Sequence, residues 1–459
     1  MEPKRIFDIF FDICKIPHGS GNCEKIADYC VEFAKSHNLP FKRDAINNVI
    51  IYKEGKGEPI CLQAHLDMVC EKTDDKEIDF LTDAITPIVE GDLIRADGTT
   101  LGADNGIGVA LCLAILEEDI ATPLEILLTS DEEIGLLGAN GLDKGWISAR
   151  KLINLDSEEE GIITVGCASG ATAAVKMPLN LADTEGEWIT LTVSGLAGGH
   201  SGVDIAKGRL NAVKVLFDVV SRVGDIQLSE ISGGTKDNAI PRKAVAKFLL
   251  KGDIASLDTA ISEVKAEALK TETLNIEYTK EICVHHAATL EDSKRIVDIL
   301  NGHPSGVMTM SPDIEGMVES SLNLSTIGMD DGFYASSMVR SSKNSAAEAI
   351  FKKIYEVAEK SGAKARHNIS FPAWEYRENS KLQAVAEESY RELFGKKAEV
   401  QLIHAGLECG VIGSGIDGLE SISIGPDLWD VHTTEETLSI SSTRRTWQYV
   451  LKILQNLSK

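Results

Sequence analysis

The feature that most constrains this chain is a recurring pairing: a short, almost wholly apolar run that breaks off into an acidic or histidine-bearing turn. Ile60-Cys61-Leu62-Gln63-Ala64 runs into His65-Leu66-Asp67. Residues 124–129 run into Ser130-Asp131-Glu132-Glu133, and Leu152-Ile153-Asn154-Leu155 runs into Asp156-Ser157-Glu158. Runs this short, with no polar alternation, read as strands buried on both faces. Residues 49–52 read the same way, and residues 106–118 read as a helix packed between two such strands. Buried strands alternating with helices imply an α/β sheet covered on both sides. Ligands of open α/β sheets bind beyond the carboxyl ends of the strands. The three turns, together with Gly102-Ala103-Asp104-Asn105-Gly106 at a helix start, are therefore expected to converge.

Two amphipathic helices come first: Ile6, Ile9, Phe10 and Ile13 share one helical face, as do Ile26, Tyr29, Cys30 and Phe33. The character changes after about Ser169. Segments 188–193 and 244–250 alternate polar and apolar residues, and helices are expected at 209–223, 254–269, 290–300 and 345–361. This is the pattern of an α+β domain with half-exposed sheet. Near Trp374 the first pattern returns, with a helix at 380–394, a strand at 421–424 and a terminal helix at 441–457. The expected architecture is an α/β catalytic domain with a mixed sheet, made from residues 1–168 and 375–459. An α+β domain, 169–374, is inserted into it. The insert is expected to hold two similar halves, around 205–280 and 290–372.

The chain has 459 residues and a formal net charge of −25, from 71 acidic and 46 basic side chains. A field of that sign repels phosphate backbones and anionic lipid, which argues against nucleic-acid and membrane-surface roles. The nine cysteines are odd in number and lack any C-x-x-C spacing, which fits reduced thiols in a cytosolic protein. The first 13 residues are interrupted by Asp8 and Asp12 and do not read as a signal peptide.

Imidazole and carboxylate donors together suit zinc, with manganese or cobalt as lesser candidates. A histidine and several carboxylates exceed what one tetrahedral ion needs. Two ions about 3.5–4 Å apart, bridged by a carboxylate, would use them all. Asp67 lies two residues after His65, so in extended chain both side chains point the same way. Its carboxylate is expected to accept from the other ring nitrogen of His65 and fix the tautomer.

Six segments resemble the aminoacyl-histidine dipeptidases, also called carnosinase-like or cytosolic non-specific dipeptidases, within the co-catalytic zinc aminopeptidase, carboxypeptidase and deacylase family. They are residues 63–72, Leu101-Gly102-Ala103-Asp104-Asn105-Gly106, Asp131-Glu132-Glu133-Ile134-Gly135, residues 154–159, residues 404–410, and Gly425-Pro426 followed by His432. The resemblance implies hydrolysis of dipeptides with two metal ions. His65 and Asp156 would bind one ion, Glu133 and His432 the other, and Asp104 both. Glu132 would be the general base, and a cis peptide would follow the bridging aspartate, at Asp104–Asn105.

The resemblance also implies that the insert is a lid. His200, in Gly198-Gly199-His200-Ser201-Gly202, would hydrogen-bond the developing oxyanion. Asn238, Arg340, Gly406 and Glu408 would face the substrate. Arg340 is the candidate to clamp a dipeptide's carboxylate, because a guanidinium pairs with it bidentately. Glu408 is a candidate partner for the free amino group. Two departures bear on substrate preference: Thr433-Thr434-Glu435 follows His432 where a Ser-Pro-type stretch is usual, and Ala206 stands where a histidine is common. The same site would also serve a tripeptidase, a carboxypeptidase or an N-acyl amino-acid deacylase, and a non-catalytic scaffold could keep the fold. Gly413-Ser414-Gly415-Ile416-Asp417-Gly418 matches a dinucleotide fingerprint by letter but precedes a strand instead of opening a helix. Monomer and homodimer both stay open.

Overall fold

In the computed structural model, which describes residues 1–458, the apolar runs form the middle of an eight-stranded sheet. Leu124–Thr129, Ile60–His65, Lys151–Asn154 and Glu420–Ser423 lie side by side in that order, all parallel. Every residue of the first two is buried. Full burial of a leucine or isoleucine side chain contributes about 1.5–3 kcal/mol, so these runs hold the sheet centre by area alone. The register places His65 opposite Thr129 and Gln63 opposite Asn154. The chain therefore leaves all three strands at the same edge. Val49–Lys53 and Ile162–Cys167 pair antiparallel with the outer members, which makes the sheet mixed.

The helix Ala103–Ile115 is buried at every residue except Asp104. A helix apolar on all sides must be enclosed, and this one packs against the strand Ile60–His65 and the helix Lys4–Cys14. These elements belong to one of two compact units, composed of Met1–Cys167, Trp374–Leu402 and Leu407–Lys459. The second unit is Ala168–Ala373 with Ile403–Gly406.

The second unit is built on a nine-stranded sheet. Four helices, Ala212–Arg222, Ile254–Ala268, Leu290–Gly302 and Asn344–Lys360, pack on it and on one another over a shared apolar core. Two strand sets show the same order. Leu181–Ser194, Ile226–Gly233, Ala244–Leu250 and Asn275–Ala288, taken as 1 to 4 along the chain, lie 4-1-3-2 across the sheet. Ser169–Pro178, Val318–Met329, Gly332–Ser341 and Lys364–Phe371 lie 2-3-1-4, the same order reversed. The sets meet where Ser232 and Gly233 pair with Gly328 and Ile327. The first strand of the second set precedes the whole first set in the chain. The strand expected at 188–193 extends back to Leu181, because residues 181–187 pair with the strand Asn275–Ala288 although their exposed, polar sequence lacks a burial signal.

His303 closes the helix Leu290–Gly302 and is 1 % exposed. Its Nδ1 donates to the Pro304 carbonyl at 2.9 Å and its Nε2 accepts from the Ser337 hydroxyl at 3.2 Å. Burial lowers its pKa from 6.5 to about 4; the Pro304 carbonyl opposes this and Lys214 adds to it. The folded protein thus resists a proton that the unfolded chain accepts. The stabilisation is whole above pH 6.5 and is lost as pH falls toward 4, at up to about 1.4 kcal/mol per pH unit. Unfolding free energies measured by denaturant across that range should show a shallower decline for His303→Asn than for the wild type. Parallel declines would assign the acid sensitivity elsewhere.

Candidate metal centre

His65 ends its strand and is 1 % exposed. Its Nδ1 donates to the main-chain carbonyl of Asp67 at 2.9 Å, which leaves Nε2 as the ligand atom. The Asp67 carboxylate also lies beside Nδ1, at 3.4 Å, with the main-chain carbonyl the nearer acceptor. The carboxylate also accepts from the Glu132 N–H at 2.8 Å, the Glu133 N–H at 3.2 Å and the Ser20 hydroxyl at 2.8 Å. It pins the turn that carries both glutamates.

His65 Nε2 faces Asp104 at 3.1 Å and Asp156 at 3.3 Å. His432 Nε2 faces Glu133 at 2.9 Å and the other oxygen of Asp104 at 3.1 Å. Ligand atoms of His65, Asp104 and Asp156 all lie within 4.8 Å of one another, and so do those of Asp104, Glu133 and His432. Two donor triads therefore share Asp104. Glu132 also comes within this distance of His65 and Glu133. The Asp104–Asn105 peptide is cis. Asn105 ties two strand ends together, accepting from the His65 N–H at 3.3 Å and donating to the Leu155 carbonyl at 2.7 Å.

The electrostatics follow from crowding. Burial raises Asp156 to about 6 despite His65, with Asp104 and Glu133 adding repulsion. Burial raises Glu132 well above the carboxylate range; His65 opposes, and Asp156, Glu408 and Glu133 add. Glu158 is pushed up to about 7 by burial and by Asp104 and Asp156. His432 is raised to about 11 by its hydrogen bonds to Asp104 and Glu133. Burial alone would lower His65, but Asp156, Asp104 and Asp67 hold it well above its ordinary value. Carboxylates this close need positive charge among them, and the imidazole and carboxylate donors fit divalent zinc, manganese or cobalt. One Asp156 oxygen has no hydrogen-bond donor and faces the cluster.

Glu408 is fully buried in the same unit. One oxygen accepts from Thr129 at 2.7 Å and from Gln63 at 2.5 Å, and the other has no hydrogen-bond partner. Burial raises it to about 7. Sequence reasoning missed Glu436, whose carboxylate accepts four successive N–H groups, those of Leu101, Gly102, Ala103 and Asp104, at 2.7–3.1 Å. The acid after His432 that matters structurally is thus Glu436, one place beyond Glu435. A conspicuous signal was lacking, since glutamates are common in turns.

The second unit gathers the remaining residues. His200 and Asn238 lie on neighbouring segments, joined by the Ser201 N–H donating to the Asn238 carbonyl at 2.8 Å. His200 Nδ1 accepts from the Gly202 N–H at 3.2 Å and the Val203 N–H at 3.4 Å, so the ring proton sits on Nε2. Burial and Arg340 both lower its pKa, which keeps the ring neutral. An Arg340 guanidinium nitrogen lies 3.5 Å from that Nε2. Gly406 packs against Phe371, whose ring is 2.5 Å from where a β-carbon would stand. Asn238 is exposed.

Residues 61–456 match peptidase family M20/M25/M40. The chain belongs to this family and is a peptide hydrolase. It is 36% identical over 476 aligned residues to the cytosol non-specific dipeptidase of Escherichia coli, covering 100% of this chain and 98% of that one. The crystal structure of an aminoacylhistidine dipeptidase from Vibrio alginolyticus superposes with a TM-score of 0.91 at 34% identity, covering 99% of this chain and 97% of the other. The aminopeptidase PepT of Bacillus cereus shares the fold at a TM-score of 0.59 and 16% identity, over 99% of each chain. Among the described residues no helix is long and apolar enough to cross a membrane.

Hydrogen bonds to charged groups contribute about 1.5–3 kcal/mol each. Glu436→Gln sets an amide N–H against buried N–H groups and should displace the turn bearing Asp104. The expected result is a lower urea midpoint, together with divalent-metal content after dialysis that falls below the wild-type value. Wild-type metal content would remove Glu436 as the residue that positions Asp104.

Proposed function

We propose that this chain is a cytosolic dipeptidase that cleaves free dipeptides with two divalent cations, zinc foremost, manganese or cobalt being the others its donors suit. The observation that carries the reading is the pair of donor triads sharing Asp104. The full-length likeness to proteins called a cytosol non-specific dipeptidase and an aminoacylhistidine dipeptidase favours dipeptides over the tripeptidase, carboxypeptidase and deacylase readings. Among the described residues none of the nine cysteines is in a disulfide, which supports a reducing compartment.

His65 and Asp156 are assigned to one ion, Glu133 and His432 to the other, and Asp104 to both. When bound, such ions polarise a peptide carbonyl and make water more acidic. Glu132 takes the proton from the attacking water and returns it to the leaving amine nitrogen. Asp67 positions Glu132 and Glu133 together through their two N–H groups. His200 is assigned to donate from Nε2 to the developing oxyanion, and Arg340 to pair with the substrate carboxylate. Asn238 and Gly406 are assigned to the substrate-facing surface of the second unit. Glu408, with its one unpartnered oxygen, is assigned to the amino end of the substrate.

The defining experiment is a peptide panel offered to metal-stripped protein with and without added Zn2+, Mn2+ or Co2+. The panel holds Ala-His, β-Ala-His, Leu-Gly, a tripeptide, a blocked dipeptide and an N-acetyl amino acid. Metal-restored cleavage of the free dipeptides alone is the expected outcome. Preferred cleavage of the blocked or acetylated compounds would move the chain to the deacylase or carboxypeptidase class, and no cleavage with any ion would leave a scaffold. Glu132→Gln should retain both ions and lose about 100- to 10,000-fold in kcat. Near-normal turnover would remove Glu132 as the base.

A further inference from the structure

The strand Asn275–Ala288 forms the outer edge of the nine-stranded sheet and pairs on one side only, with Leu181–Ser194. Successive side chains of a strand point to opposite faces. Ile276 and Tyr278 turn toward the helix-covered core, so Glu281, Cys283 and His285 share the opposite face. Their donor atoms lie within 4.8 Å of one another, the one such group among the described residues that includes a thiol. His285 Nε2 approaches a Glu281 oxygen at 3.2 Å. Cys283 is half-buried, whereas seven of the nine cysteines are buried.

The surroundings orient these donors. Trp188 is fully buried on the same face, and its ring nitrogen donates to the Cys283 carbonyl at 3.2 Å. The His285 ring stands edge-on to Trp188 at 5.0 Å, which turns Nε2 toward Glu281. Gly186 lies directly opposite Cys283 on the paired strand, the Leu249 side chain fills the space beside it, and Cys283 packs against the Trp188, Leu249 and Ala287 cluster on one side. Lys247 competes for the same Glu281 oxygen, at 3.0 Å. Its flexible stem can release that oxygen to an ion of higher charge.

We propose that Glu281, Cys283 and His285 form a further metal site that takes one thiophilic divalent cation, of the zinc and cobalt class. Thiolate and imidazole are the donors this class prefers, and a carboxylate completes a three-residue set. The fourth position is left to solvent, since Glu281 is exposed and Cys283 and His285 are half-buried. A structural zinc site closes with four protein ligands, so this one is exchangeable. Binding forms a metal–sulfur bond as the thiol proton leaves to solvent. The carboxylate–histidine centre of the first unit contains no sulfur donor, so a sulfur signature separates the two.

The test is optical titration of the full-length protein with Co2+. A near-ultraviolet sulfur-to-cobalt charge-transfer band is expected, saturating at one equivalent. It should disappear in Cys283→Ser and weaken at least several-fold in His285→Ala, which keeps the thiol. The visible bands of cobalt on nitrogen and oxygen donors should persist in both variants. Their loss would bear on the two-metal reading and leave the sulfur band as a separate readout. No charge-transfer band in the wild type, or an undiminished band in Cys283→Ser, would overturn the proposal.

Discussion

Repulsion among carboxylates at one edge of a parallel sheet is the constraint around which the first unit is arranged. Asp104, Glu132, Glu133 and Asp156 converge there, with Glu158 and Glu408 close enough to raise or be raised by them. Two histidines cannot balance so many acids: Asp104, hydrogen-bonded to both, is lowered, whereas Glu132, Asp156, Glu158 and Glu408 are raised. Asp156 at about 6 and Glu158 at about 7 are carboxyl groups moved to where a cation would compete with the proton for the same oxygens. Such a cluster opposes folding unless the backbone is held by something other than the cluster itself. The apolar strands supply that. Their parallel register delivers His65, Asp156 and the glutamate turn to one edge whatever those side chains prefer.

The strands were legible in the sequence because full burial leaves an unbroken apolar run, and the helical segments because their faces repeat with helical period. The ligand candidates were legible because each abuts such a run. Residues whose work is done through backbone N–H groups were harder to see. Glu436 lies in a polar stretch like any solvated turn, and its partners at 101–104 are more than 330 positions away. The nearer acceptor of His65 is a main-chain carbonyl, which no residue letter encodes. In the second unit, residues 181–187 form strand because a partner strand lies beside them. Pairing across about 100 positions leaves no trace in a local window.

The doubled 4-1-3-2 order illustrates a different limit. A reading along the chain compares consecutive stretches, and the second set has its first strand, Ser169–Pro178, detached and placed ahead of the entire first set. Helices and turns recur in the right order, so a repeat can be suspected. Its true extent needs the sheet. The reversed order of the sets, meeting at the antiparallel contact of residues 232–233 with 327–328, gives one continuous sheet in which neither set exposes its second strand as an edge.

Across both units one device recurs: a carboxylate that fixes a loop through its N–H groups so that a neighbouring side chain is left with a single available role. Asp67 holds the N–H groups of Glu132 and Glu133, and both glutamate carboxylates stay free to face the histidines. Glu436 does the same for the turn that presents Asp104. In the second unit Asp204 accepts from the His200 N–H at 2.8 Å. The turn is possible because Gly198 and Gly199 have φ of 65° and 142°, where a side chain would be strained. With the loop so fixed, the amides of Gly202 and Val203 point at Nδ1 and force the proton onto Nε2. A neutral imidazole with a defined N–H beside a guanidinium is a donor pair suited to an anion, and a protonated or reversed ring would not be the same pair. The chemistry of His200 is thus decided by Asp204 and by two glycines, none of which carries it.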